Sequence, residues 1–544
     1  MNSPVAADLV LVNGRVWRGL GLGIAEAIAF FGGRVLATGT SREIGTLVGP
    51  KTRVVDLAGR LATPGLNDAH MHLIPYGTAM SEVDLRPRAA PTLAALKEAV
   101  RARAAATPKG EWVVGRGWDQ FKLDTGIYPT REDLDAVAPD HPVYIVRTCG
   151  HLSVCNSLAL QRAGIDETTP SPPGGLIERR DGKLTGMLAE NGRDAVLAAM
   201  PRASVDELVG SIERGGRSLL SHGITSCMEA AVGIRDGWLE MLAYQKAHRE
   251  NRLPVRVYAT LMGDKGRSVL PQAMEAGMIT GGGDERFRIG PVKIFTDGSA
   301  GGRTAAMTKP YLGEGEEYGI LCLEAEELNA MVLAAHRAGY QMAVHAIGDA
   351  AIDQVLDAYE AALADTPDPD RRHRIEHCGW LRPDQMERLV ANHILPAPQP
   401  AFIYWFGDLY RTVLDDARVF ASHPMGTWIE RGLHPSASTD CPVVEIDPFA
   451  NLYTMVTRKT ERGTVIGAEH VLSIEEALHA YTYASAYAAH EETIKGRLLP
   501  GQLGDVAVFD RDLLAIAPEE ILETRCDLTV LGGALVYERE GAAA

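Results

Sequence analysis

Apolar and polar positions alternate in two ways along this chain of 544 residues. Near both ends the period is two. The stretches DLVLVNGRVW, AIAFFGGRVLATG and TRVVDLAGRLATPG open the chain, and GQLGDVAVFD and DLTVLGGALVYER come near its close. All are short β-rich runs broken by Asn-Gly, Gly-Gly or Ala-Gly turns. Neither block is long enough to bury a good core alone, so the pattern predicts one small β-sandwich built from residues 1–62 and 490–544. Between them, helical stretches alternate with short apolar runs. LVGSIERGGRSLLSHGITSCMEA and AEELNAMVLAAHRAGYQMAVHAIG each read as helix then strand. Such alternation implies parallel strands with crossover helices. Eight candidate strands fall near 66–72, 223–229, 255–261, 289–295, 341–346, 373–378, 394–398 and 435–439. They predict an α/β fold, a closed (β/α)8 barrel of the TIM type over residues 63–489. Such a barrel needs roughly 250 residues. Most of the surplus lies between the first two strands and carries its own strands (EWVVGRG, PVYIVRTCG) and helices. Residues 75–220 are therefore expected to form a subdomain inserted over the barrel mouth.

Composition changes this picture little. Hydrophobic residues make up 46% and charged residues 23%, ordinary values for a globular chain with a large core. The formal charge of -17 argues against nucleic acid or an anionic membrane as a partner, because phosphate binding needs clustered Lys and Arg. Seven scattered cysteines with no C-x-x-C pair argue against a disulfide framework or a cysteine zinc site, which fits a reducing cytoplasm. The N-terminus lacks the basic start and apolar block of a signal peptide. The most apolar early stretch, GLGIAEAIAFFGG, is too short to span a bilayer.

The polar residues at the strand ends carry the chemistry, since barrel active sites lie at the C-terminal ends of the strands. In DAHMHL, His70 and His72 share one face of a strand while Met71 points the other way, an arrangement suited to holding one metal. PVKIF supplies Lys293, MAVHAIG His345, RIEHCG His377 and SASTDCP Asp440. Singly, each has an ordinary explanation. A lone histidine is a hydrogen-bonded core residue, Asp440 a turn or helix cap, and Lys293 a snorkelling side chain or a Schiff-base lysine. Five strand ends would have to supply such explanations together.

These residues resemble the amidohydrolase superfamily and, within it, the amidohydrolase 3 branch, which includes YtcJ-like proteins and N-substituted formamide deformylases. The resemblance runs through TPGLNDAHMHL (63–73), GRGWDQ (115–120), GHLSVCNSLAL (150–160) and GPVKIFTDGSAGGRTAAM (290–307). It continues in HAIGDAAID (345–353), HRIEHC (373–378), STDCPV (438–443) and GRLLPGQLGDVAVFD (496–510). It implies that His70, His72 and Asp440 bind one metal, that His345 and His377 bind a second, and that a carboxylated Lys293 bridges the two. Two divalent ions, zinc foremost, are the implied cofactors. The implied activity is a metal-dependent amidohydrolase acting on a carbon–nitrogen, non-peptide bond. A metal-bridging hydroxide would attack, and Asp440 would shuttle the proton. The alternative on the same scaffold is an esterase, lactonase or lyase such as a decarboxylase. A scaffold using the metal only structurally would need no proton shuttle.

Other residues qualify the site. Asp297 in FTDGSAGG is read as an outer partner of the metal ligands, and Asp349 in GDAAID as a helix N-cap. Cys378 and Cys441 are read as packing residues. Phe402, Tyr404, Trp405 and Phe406 crowd AFIYWFGDLY, and Trp118 and Phe121 lie in GWDQF. With Tyr404, Trp405 and Trp118 as candidate walls, they suggest an N-substituted or N-acyl amide with an apolar or aromatic group. His151 in CGHLS is a candidate substrate donor or, equally, a core histidine. The partner expected is a small molecule, with a homo-oligomer such as a dimer left open.

Overall fold

The computed structural model describes residues 6–148, 150–313 and 315–541. Cys149 lies outside them. The chain divides into two compact units, Met1–Leu73 with Gly216–Ala544, and Ile74–Gly215.

The first unit opens with short strands: β1 (Leu9–Val12), β2 (Arg15–Trp17), β3 (Ile24–Ala25), β4 (Ala27–Phe31), β5 (Arg34–Gly39), β6 (Arg53–Asp56) and β7 (Leu61–Pro64). The β4–β5 hairpin turns on Gly32 and Gly33, whose φ of 57° and 81° are the left-handed pair a two-residue turn demands. Only Gly65 separates β7 from β8 (Leu66–Met71), which begins the barrel.

The second unit carries β9 (Val83–Asp84), β10 (Val113–Trp118), β11 (Val143–Arg147), β12 (Leu152–Cys155), β13 (Gly175–Arg180) and β14 (Lys183–Glu190). They form one mixed sheet in the order β13-β14-β12-β11-β10-β9. The helix Leu93–Ala106 is capped by Thr92, and its Leu96 and Val100 join the core of this unit.

Back in the first unit, β15 (Ile224–Val232), β16 (Arg256–Met262), β17 (Phe287–Phe295), β18 (Met342–Ala346), β19 (Arg374–His377) and β20 (Leu395–Ala397) extend β8 into a seven-stranded sheet, every neighbouring pair parallel. Nearly every residue of these strands is buried, as expected of a parallel sheet covered on both faces. The eighth candidate strand, near 435–439, is not one. The segment 437–441 runs beside β8 through three backbone hydrogen bonds: Ala69 N to Ala437 O (3.1 Å), Asp440 N to His70 O (2.8 Å) and His72 N to Cys441 O (2.8 Å). Toward β20 the links described are made by side chains. Ser438 Oγ donates to Pro398 O (2.8 Å) and accepts from Gln399 Nε2 (3.0 Å). Prolines at 435 and 442 flank the segment, and Asp440 has a φ of 56°, so a regular ladder cannot run through it. The sheet is a nearly closed seven-stranded parallel barrel, with the segment 437–441 bonded along the open edge of β8.

The chain then returns to the sheets of its N-terminal strands with β21 (Val506–Phe509), β22 (Cys526–Leu531) and β23 (Ala534–Glu538). They join the N-terminal strands in the order β23-β22-β21-β7-β2-β3, with β7 antiparallel to β21. Leu9, Leu11, Phe30, Val506, Val508 and Val530 make the shared core. Among the described residues, no helix is long and apolar enough to cross a membrane.

Candidate metal centre

Strand alternation places His70 and His72 on one face at the C-terminal end of β8. The irregular eighth segment delivers Asp440 to the same point. Its Oδ1 lies 3.5 Å from His70 Nε2 and 3.3 Å from His72 Nε2. One ligand atom from each of the three falls within 4.8 Å of the others, and no second group of three such side chains comes as close among the described residues. Asp68 locks the arrangement. Its carboxylate accepts from Thr439 Oγ1 (2.6 Å), Thr439 N (3.1 Å) and His70 N (3.3 Å), fastening the eighth segment to β8.

The other histidines continue from this cluster. Ring centroids lie 5.0 Å apart for His70 and His377 and 4.4 Å for His377 and His345. Strict alternation along β19 would point His377 away from the face shared by Arg374 and Glu376. Its φ of 68° at the strand end re-aims the ring. A left-handed non-glycine residue costs roughly 1–2 kcal/mol, so the fold bears this cost at both His377 and Asp440. Lys293, on β17, is completely buried, with Nζ 4.6 Å from the Phe295 ring centroid, and that ring is 5.2 Å from His345.

Three of the four imidazoles have one nitrogen held by an anchored acceptor, and the fourth, His72, faces a carboxylate beyond hydrogen-bond distance. His70 Nδ1 contacts Glu376, which is itself gripped by Arg374 Nε (2.8 Å) and Nη2 (3.0 Å). His72 Nδ1 lies 3.7 Å from Glu229, which accepts from the Tyr244 hydroxyl. His377 Nδ1 lies 2.6 Å from Gln399 Oε1. His345 Nε2 lies 3.1 Å from Gly298 O and 3.2 Å from Asp297 Oδ1. Asp297 is held in turn by the backbone N–H groups of Ala306, Ile347 and Gly348. Sequence reasoning missed Glu376, Glu229, Gln399 and Asp68. The readable signal was two charged residues, Arg374 and Glu376, spaced by two within an otherwise apolar strand.

The electrostatics favour bound positive charge. Burial opposes the charge on Asp440, but the neighbouring His70 and His72 outweigh it and hold the carboxyl well below the usual range. Burial likewise opposes charge on Glu376, yet Arg374, His70 and Lys293 bring it down to about 2. Burial lowers the Lys293 amine, against the pull of Glu376, Asp440 and Asp264. Asp440 and Glu229 overcome burial to raise His72 to about 9, so this corner attracts a cation. Lys293 Nζ, His345 Nδ1 and Asp440 Oδ1 are buried with no hydrogen-bond partner. Buried polar atoms rarely stay unsatisfied, and these three are of the types that ligate divalent ions. The donor set fits a metal.

The remaining candidates are carried by other elements of the fold. Tyr404 and Trp405 stand half-buried on the helix Ala401–Val413 rather than on a loop, their rings 4.9 Å apart. Phe402, on the same helix, stacks at 6.2 Å on His377. Within the second unit, Trp118 is fully buried and its indole N–H donates to Ile145 O, so its ring is committed to that core. His151 Nδ1 pairs with Glu190 at 2.8 Å. Asp349 is not an N-cap. Gly348 occupies the cap, and Asp349, the first helical residue, instead accepts from Thr308 N and Oγ1. Cys378 and Cys441 are buried, and burial pushes the Cys378 thiol far up.

The sequence model of the amidohydrolase family matches residues 53–537. The putative amidohydrolase YtcJ of Bacillus subtilis is 30% identical over 94% of this chain and 96% of its own. The N-substituted formamide deformylase of Arthrobacter pascens is 28% identical over 95% and 96%. The crystal structure of an uncharacterized metal-dependent hydrolase from Pyrococcus horikoshii OT3 superposes with a TM-score of 0.77 at 29% identity, covering 94% of this chain and 99% of that one. With histidines and an acidic residue gathered at one end of a parallel barrel, this chain belongs to the amidohydrolase family and is a metal-dependent hydrolase.

Proposed function

We propose that the protein hydrolyses a carbon–nitrogen amide-type bond, in an N-substituted or N-acyl amide bearing an apolar or aromatic group, using two divalent ions. The observation that carries this reading is Asp440, an anionic carboxylate beside His70 and His72 with one oxygen left without a hydrogen bond. Full-length similarity to a formamide deformylase supports the choice of bond. In this reading the segment 437–441 serves as the eighth member of a (β/α)8 barrel whose mouth is the active site.

His70, His72 and Asp440 would hold one ion, and His345, His377 and Lys293 the other. Divalent ions there would supply Lewis-acid polarisation of the carbonyl and a water acidic enough to react at neutral pH. The chain's own groups do the rest. Glu376 keeps a proton on His70 Nδ1, leaving Nε2 as the donor atom. Asp440 Oδ1 takes the proton from the attacking water and returns it to the departing nitrogen. Lys293, driven toward its neutral amine by burial, is suited to attack CO₂: its lone pair forms the new N–C bond, the amine proton leaves to solvent, and an anionic carbamate results. Phe402, Tyr404 and Trp405 offer apolar surface for the substituent.

A panel of amides, esters, lactones and carboxylic acids, assayed with and without chelator, tests the bond assignment. Amides should be turned over, and chelation should abolish turnover until zinc and CO₂ are restored. Asp440→Asn should lower kcat by about 10²–10⁴-fold while metal content stays close to wild type. Turnover confined to lactones, or an Asp440→Asn enzyme of normal rate, would overturn the reading.

A further inference from the structure

Gln399 follows β20 and is completely buried. Its amide orientation is settled by its neighbours. The amide end faces Ala397 O at 3.2 Å and Ser438 Oγ at 3.0 Å. A carbonyl oxygen can only accept. The Ser438 hydroxyl has its one proton committed to Pro398 O at 2.8 Å, so it too must accept from Gln399. The NH₂ of Gln399 therefore points at this pair, and its carbonyl Oε1 is forced toward His377 Nδ1, 2.6 Å away. An acceptor at that distance requires a proton on Nδ1. The lone pair of the neutral imidazole is then on Nε2. Phe402, nearly parallel to the ring at 14°, fixes its plane.

The same side chain sits at the seam of the barrel. On the β8 side the eighth segment is held by backbone hydrogen bonds. On the β20 side it is held through Ser438, which accepts from Gln399 and donates to the carbonyl of the residue before it. Ser438 is two residues from Asp440. Gln399 thus connects the ring of one candidate ligand to the segment that carries another.

We infer that Gln399 is a positioning residue that fixes His377 in the tautomer with a free Nε2 and couples it across the barrel seam to the Asp440 segment. The inference rests on the proposed metal reading and concerns how tightly the site binds rather than the chemistry it performs. An outer partner of a ligating histidine contributes about 10–100-fold in metal affinity. Leucine at 399 would leave His377 Nδ1 without an acceptor, whereas glutamate would still accept from it.

The test is Zn²⁺ affinity by competition with a chromophoric chelator, beside the melting temperature of the metal-free full-length protein. Gln399→Leu should weaken zinc binding about 10–100-fold. Gln399→Glu, which keeps the acceptor and loses the donation to Ser438, should hold affinity to about threefold of wild type on that same principle. Ser438→Ala, which loosens only the seam, should lower the melting temperature with little loss of affinity. Wild-type affinity in Gln399→Leu would overturn the inference, as would equal losses in Ser438→Ala and Gln399→Leu. If Gln399→Leu does not fold, Gln399→Glu decides: affinity retained supports the inference, and a tenfold loss sinks it. A wild-type protein that binds no zinc would instead defeat the metal reading itself, an outcome distinct from these.

Discussion

Replacing Glu376 with glutamine should cost the barrel about 3 kcal/mol at neutral pH, and two independent routes lead to that figure. The carboxyl is held at about 2, against an ordinary 4.5. A gap of about 2.5 between 4.5 and 2, at roughly 1.4 kcal/mol for each pH unit, corresponds to about 3–3.5 kcal/mol of stabilisation of the charged form. Breaking a buried ion pair by removing one partner costs about 3–5 kcal/mol, because the other charge is left uncompensated. Arg374 is that partner. It is almost fully buried, and apart from Ala69 O the hydrogen-bond acceptors described for its guanidinium are the two oxygens of Glu376. Because the chain has two units, exchange at individual amides assigns the loss to the barrel more directly than a melting temperature does. The measurement is native-state hydrogen exchange of the amides in β18, β19 and β20 of metal-free protein. About 3 kcal/mol corresponds to roughly 100-fold faster exchange through global opening. The sign with pH is also set. A depressed carboxyl contributes fully above its unfolded value and progressively less as pH falls from about 4.5 toward 2, so the gap between wild type and Glu376→Gln should close over that window. Exchange in Glu376→Gln less than fivefold faster than wild type at pH 7 would refute the reasoning (about 1 kcal/mol).

Two further outcomes follow from the packing around the site. His423 is buried and carries a φ of 47°, and burial with help from Arg458 lowers its pKa to about 3. Its stabilisation is present above about 6.5 and is lost as pH falls toward 3. His423→Asn, whose side chain tolerates left-handed backbone, should flatten the stability–pH profile there by up to about 1.4 kcal/mol per pH unit; an unchanged slope in urea titrations at several pH values would count against burial of a neutral ring. At Gly348 an added Cβ would meet Ala306 O at 1.9 Å, and the amide of Gly348 donates to Asp297, the partner of His345. Gly348→Ala should therefore cost about 1–3 kcal/mol by overpacking and weaken zinc binding together, and a variant that melts and binds zinc like wild type would contradict this.

Much of the fold is legible in the sequence because its signals are periodic. Two His residues two apart in an apolar strand must share a face, which brings His70 and His72 together without further information. Helix–strand alternation similarly gives the parallel sheet. What escapes is decided by backbone that breaks period. His377 turns on a left-handed φ at the end of β19, and the Asp440 segment lies between two prolines and, among the described residues, makes backbone hydrogen bonds to β8 but none to β20, so neither its irregularity nor the open seam can be read from an apolar pattern. Gln399 and Glu229 were illegible for another reason. Their roles depend on which atom of a distant histidine they face, and a Gln beside prolines in PAPQPAF carries no such mark. Asp349 shows the opposite error: a good capping residue near a helix start finds a better partner in Thr308, reached from another loop.

The single-residue link between β7 and β8 has a consequence for how the centre is made. β7 is held from one side by β2 and from the other by β21, which comes from the far end of the chain. The strand bearing His70 and His72 is made some 435 residues before β21, so the lattice that fixes its neighbour is complete only once Val506–Phe509 has been made. Premature termination near residue 500, or clipping of β21–β23, would leave every candidate ligand in the chain and still unmoor the first two, so that damage there is expected to show itself as weaker binding of added zinc.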